Sequence, residues 1–143
     1  MSLFSGESRE QMRRRYLEAW RRYRAQAPLD PLQGQLAAVI AEHPEYVAFL
    51  ESGETPLGAE FTPEGGHANP FLHLGLHLAI REQVATDRPA GIAQVHATLM
   101  QRLGGAHEAE HAMIEPLAQA LWDAQRSGRA PDEQAYLEQL RRL

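Results

Sequence analysis

The residues of this chain best suited to chemistry are histidines set four apart. His107-Glu108-Ala109-Glu110-His111 brings two imidazoles and two carboxylates into little more than one helical turn, and upstream His73-Leu74-Gly75-Leu76-His77 repeats the histidine spacing. On a helix, residues four apart share a face, so each pair aims both rings at one point. Two such pairs on neighbouring helices would surround a single divalent ion, and imidazole suits zinc, iron or nickel. Cysteine is absent, so a metal site here must be built from His, Asp and Glu.

Other chemistries fit the same residues less well. His107-Glu108-Ala109-Glu110-His111 satisfies H-E-x-x-H with Glu108 as general base, and H-x-x-E-H with Glu110 in that role. A peptidase of that type needs a third ligand and a sheet edge to hold substrate, and no strand pattern is present. A di-iron carboxylate centre needs E-x-x-H on two helices, and only Glu108 to His111 supplies one. A third reading is a site for a small anion, with protonated histidines and free N–H groups at helix N-termini as donors. No phosphate-binding glycine loop, nucleophile elbow or nucleic-acid module occurs.

The elements that must position these rings are helices. The chain has 143 residues, 43% apolar and 23% charged, which predicts a single globular domain over 1–143. Ser8 and Gln11 are spaced as a capping box and predict a helix to about Gln26, with Met12, Tyr16, Ala19, Trp20 and Tyr23 on one side. Arg14, Arg15, Arg21 and Arg22 lie opposite, as a solvated face with Glu10–Arg14 and Glu18–Arg22 pairs or as a docking patch. Asp30-Pro31-Leu32-Gln33 opens a second helix to about Glu42, and a short helix through Tyr46, Phe49 and Leu50 follows. Residues 52–68 read as one long loop.

Asn69-Pro70 starts a third helix that ends near Thr86 and is apolar on every side except for its histidines. A fourth is expected from Asp87 and Pro89, carrying Ile92, Val95, Leu99 and Leu103 and stopped by Gly104-Gly105. A fifth runs from Ala106 to Arg126, with Pro116 predicted to kink it. Pro131 opens a last short helix with Tyr136, Leu137 and Leu140. The fold class predicted is all-α, a helical bundle of four main helices with short additions.

At about 100° per residue, His73 and His77 share a stripe with Leu76, Ile80 and Val84. His107, Glu110 and His111 cluster around Ile114, Ala118 and Leu121, while Glu108 turns away toward Trp122. Short connections make successive helices antiparallel, so the third and fifth should run parallel and carry their histidines at similar depth. His43, at the end of the second helix, and His67, in the long loop, belong to that same end; His96 is the outsider. The expected ligands are His73, His77, His107 and His111, with Glu110 and His43 as auxiliaries.

Several blocks are similar to one known family. His43-Pro44-Glu45-Tyr46, Asn69-Pro70-Phe71-Leu72-His73, His77 through Gln83, Asp87 through Ile92 and His107 through His111 resemble an uncharacterised bacterial family, the domain of unknown function 1841. The likeness extends to Leu121-Trp122 and Pro131-Asp132-Glu133, and so covers nearly the whole chain. It implies a small single-domain protein and carries no substrate or catalytic residue.

The remaining classes are narrowed by charge and hydropathy. All fourteen basic residues are arginine, as codon bias would give, and the net charge of −5 means that nucleic acid is not an expected partner. No apolar run approaches a membrane span and the N-terminus lacks a signal-type apolar core, which predicts a cytoplasmic protein with no membrane partner. The function expected is metal binding at a His-rich end of the bundle. The competing class is a metal-free interaction module, a homodimer through Tyr136, Leu137 and Leu140 or a binder of an acidic partner through the first helix.

Overall fold

A computed structural model describes residues 8–61 and 69–143. Among them the chain is all-α, with no strand. The helices are α1 (Arg9–Arg24), α2 (Pro31–Ala41), a 3-10 turn (Pro44–Tyr46) running into α3 (Val47–Leu50), α4 (Thr55–Gly58), α5 (Pro70–Thr86), α6 (Ile92–Leu103), α7 (Ala106–Ser127) and α8 (Glu133–Arg141). They form two compact units, Met1–Leu78 and Ala79–Leu143, and α5 belongs to both.

Local chemistry sets the helix starts. Ser8 accepts from the Gln11 amide while Gln11 Oε1 accepts from the Ser8 amide, a complete capping box, and Asp30 and Gln33 do the same for α2. Asn69 Oδ1 accepts from the amides of Phe71 and Leu72 at the head of α5. The helix expected from Asp87 begins instead at Ile92. Asp87 takes a left-handed conformation, and its Oδ1 accepts from the Gly91 and Ala93 amides, so it caps α6 from several residues upstream. Gly104 and Gly128, both left-handed, end α6 and α7.

The first unit packs α1 against α2 and α4. Its core joins Tyr16, Ala19 and Trp20 to Leu36, Val39, Ile40, Leu50, Phe71, Leu74 and Leu78. Tyr16 and Phe49 both meet the Phe71 ring edge-on, at 5.6 and 6.0 Å between centroids. The stretch expected to be one loop is partly folded as α4, and Arg13 is the reason. Its buried guanidinium donates to the carbonyls of Pro56 (3.0 Å) and Ala59 (2.8 Å), with Leu57 O at 3.4 Å, and lies 4.8 Å over the Phe71 ring. The other arginines of α1 form the solvated face: Arg14 pairs with Glu10 and Glu54, Arg21 and Arg22 with Glu18, and Arg24 with Glu51.

In the second unit α6, α7 and α8 pack on one another. Ile92, Val95 and Leu99 from α6, Ala109, Met113 and Leu117 from α7, and Tyr136, Leu137 and Leu140 from α8 are all buried. Tyr136 donates its hydroxyl hydrogen to Gln83 Oε1 at 2.9 Å. The three α8 residues considered as a dimer face are therefore interior. The buried face of α7 is also rotated from the expected stripe: Leu121 is 43% exposed and Trp122 56%, while Ala109, Met113 and Leu117 face inward.

Candidate metal centre

In the first unit, three imidazoles gather where the C-terminal end of α2 faces the first two turns of α5. Pro44 cannot continue α2, so the chain turns at His43, whose amide bonds back to Ile40 O. This swings the His43 ring under the helix end, where Nδ1 lies 2.8 Å from Val39 O. A carbonyl only accepts, so Nδ1 carries the proton and Nε2 of the neutral ring presents a lone pair. That lone pair meets His77 Nε2 at 3.1 Å, and His77 Nε2 is 3.2 Å from His73 Nε2.

Burial is graded across the three. His43 and His77 have no exposed surface, whereas His73 is half-buried. Tyr46 lies parallel to the His43 ring at 5.5 Å and edge-on to His73 at 5.9 Å. Burial and the nearby Glu45 carboxylate push the Tyr46 hydroxyl above its ordinary pKa.

Nitrogen spacing has a chemical meaning here. Bonds of about 2.0–2.1 Å to one zinc ion put tetrahedral neighbours roughly 3.3 Å apart, and octahedral neighbours would sit about 2.9 Å apart. The two Nε2 separations fall between those values. The contact of His43 Nδ1–H with Val39 O is of the kind that fixes the orientation of an imidazole in metal sites.

In the second unit, the His107 and His111 rings on α7 have centroids 4.3 Å apart and are inclined at 58° to one another. His107 is half-buried and His111 exposed. Between them, Glu110 is buried, and both its oxygens lie at hydrogen-bond distance from Nε of Arg81, 3.1 and 3.0 Å. Glu110, expected among the ligands, is found in an ion pair. Glu108 is exposed, and its carboxylate folds back to within 3.2 Å of the place a side-chain carbon on Gly105 would take. At the third position of α7 that places negative charge over the helix N-terminus, the usual role for an acidic residue in a first turn, and away from the work of a general base. His96 on α6 is half-buried and its Nε2 has no partner among the described residues; His67 lies outside them.

His43, expected as an auxiliary, lies at one end of the row of three rings. The X-Pro signal at His43-Pro44 marks the end of α2, but only the fold turns that ring onto His77. No helix among the described residues is long and apolar enough to cross a membrane. The chain matches no curated protein and no solved structure. One family model does match, over residues 8–142, and by that match the chain belongs to the family described as Domain of unknown function (DUF1841).

Proposed function

We propose that this chain binds one divalent transition-metal ion, with His43, His73 and His77 of the first unit as ligands and with His107 and His111, on their four-residue spacing, as the further pair that the sequence offers. The observation that carries the reading is the row of Nε2 atoms on His43, His77 and His73, spaced like donors around one ion. A ring proton on His77 Nε2 would have to serve two acceptors at once, and an ion satisfies both. The second unit, taken by itself, carries two imidazoles on one face of α7, their centroids 4.3 Å apart, and a carboxylate, Glu110, bound to Arg81.

The donor set is nitrogen alone, which suits zinc, iron or nickel and disfavours calcium and magnesium. Four filled positions suit a structural ion, while three nitrogens and a water would suit a hydrolytic one. Metal analysis of protein purified without an affinity tag tests the reading. The expected result is one zinc, iron or nickel per chain, lost in His77→Ala and in His111→Ala. No metal at stoichiometric level, with melting unchanged by chelator, would overturn it. Cobalt substitution separates the two chemistries, because four-coordinate cobalt absorbs in the visible far more strongly than five- or six-coordinate cobalt.

A further inference from the structure

We infer that this chain pairs with a second copy of itself through the outward face of α7, the two helices running antiparallel about a two-fold axis. The stripe through Ile114, Ala118, Leu121 and Gln125 alternates steps of four and three, the seam spacing of paired helices. Within its own unit, α7 turns a different stripe inward, Ala109, Met113 and Leu117, and packs on α6 and α8. The seam is left half-buried at Ile114 and Ala118 and exposed at Leu121, and Trp122 beside it is exposed as well. A leucine and a tryptophan side by side in water form the kind of patch that interfaces cover. The α8 residues considered for self-pairing are interior and offer no rival face.

Charge decides what covers the patch. Glu115 and Arg126 are eleven positions apart, close to three turns, so they lie nearly in line on one flank of the seam, about 16 Å apart along the axis, with Trp122 between them. Both are exposed, and among the described residues neither side chain has an ion-pair or hydrogen-bond partner. The exposed arginines of α1 behave otherwise: Arg14, Arg21 and Arg24 each reach a glutamate of the chain. A strip with an acid at one end and a base at the other is complementary to itself when a second copy is reversed. A two-fold axis sets like flank against like flank, so Glu115 of each copy meets Arg126 of the other. Trp122 of each copy then falls near Ala118 of the other, whose small side chain leaves room for the ring. A parallel pair brings unlike flanks together and leaves both charges without partners. One helix face makes a small interface, so the pairing is weak and reversible.

Sedimentation equilibrium of the full-length protein from about 1 to about 500 µM tests the inference, in chelator so that no ion bridges two chains. The expected result is a monomer–dimer equilibrium in the micromolar range that added salt weakens. Tryptophan emission should move to the blue as the dimer forms; Trp20 is already buried, so the shift reports Trp122. Glu115→Arg and Arg126→Glu should each weaken dimerisation about tenfold, because each sets two like-charge pairs across the axis. Glu115→Arg combined with Arg126→Glu should return it to the wild-type value, since the strip is then self-complementary with its signs exchanged. Protein that stays monomeric over the whole range would overturn the inference. So would a dimer as tight in Trp122→Ala as in the wild type, which would put the interface elsewhere. A double reversal no tighter than the single ones would overturn the antiparallel arrangement. All three substituted positions are exposed, and circular dichroism checks that each variant keeps its helix content.

Discussion

His43 and His77 meet nitrogen to nitrogen at 3.1 Å, with both rings sealed from solvent. An ion held between two such rings adds its binding free energy to folding. Free zinc at a hundred times its dissociation constant should therefore raise stability by about 2.7 kcal/mol. In His77→Ala the melting temperature is expected to be lower and unresponsive to zinc or chelator. A variant that melts with the same zinc response as the wild type would remove His77 from the ligands. His43→Ala is expected to cost more without metal, about 2–4 kcal/mol, because it also strips the Val39 carbonyl of its donor and leaves a cavity at the end of α2.

The Arg81–Glu110 pair joins α5 to α7 within the second unit, with the carboxylate buried and the guanidinium about one-third exposed. Removing one partner leaves the other charge short of compensation. Arg81→Ala is expected to destabilise by about 2 kcal/mol, less than a fully buried pair because solvent reaches the arginine. Arg81→Ala with Glu110→Ala should cost less than the sum of the two single changes, and urea melts of the four proteins measure that coupling. Strict additivity would mean that the pair contributes nothing beyond its separate packing.

Arg13 should be the arginine that matters for stability. Arg13→Ala strands the carbonyls of Pro56, Leu57 and Ala59 and removes a cation from the Phe71 face, so a loss of about 2–3 kcal/mol is expected. Arg14→Ala, whose pairs lie in water, should cost under about 1 kcal/mol, and Arg21→Ala should leave the melt essentially unchanged. Equal effects at Arg13 and Arg14 in denaturant melts would contradict this account.

The contrast shows where the sequence is legible. Ser8 with Gln11, Asp30 with Gln33, and Asn69 mark helix starts because a cap is made between residues three apart or fewer, and the same local logic recovers α5 and α7 nearly to the residue. Arg13 sits in a run of three arginines and differs from Arg14 only through backbone carbonyls more than forty positions away. His43 is likewise decided by distant partners. On α7, apolar residues occur on two sides, so a helical wheel cannot choose between the stripe through Leu121 and the one through Met113; packing against α6 and α8 makes the choice. The histidine pairs are legible as pairs, because four-residue spacing is local, and their partners are not.

Two helix glycines can be replaced with profit. A side-chain carbon at Gly34 in α2 would meet nothing within 4 Å, and one at Gly75, between His73 and His77, would meet only Tyr16 Oη at 3.6 Å, an ordinary contact. Alanine has the higher helix propensity, so Gly34→Ala and Gly75→Ala should each stabilise by about 0.5–1 kcal/mol in denaturant melts. A loss at Gly75 beside a gain at Gly34 would mean that α5 and α1 have no slack at Tyr16.

Alkaline stability should be governed by tyrosine. Burial raises the Tyr16 and Tyr136 hydroxyls well above their ordinary pKa. In the unfolded chain both ionise near pH 10, whereas the native state keeps both protons, so above that pH the unfolded state binds fewer protons. The sign follows: the stabilisation is fully present below about pH 10 and falls as pH rises, by about 1.4 kcal/mol per pH unit for each tyrosine. Every basic residue of this chain is an arginine, so no lysine titrates in the same window to mask the slope. Urea melts between pH 9 and 12 are expected to show it, and Tyr136→Phe should remove about 1.4 kcal/mol per pH unit of it. The single change will lower stability at neutral pH by about 1 kcal/mol through loss of the Gln83 bond, but it is the slope, and not that offset, that reports the buried hydroxyl. An unchanged slope in Tyr136→Phe would mean that this hydroxyl ionises in the native state as readily as in water.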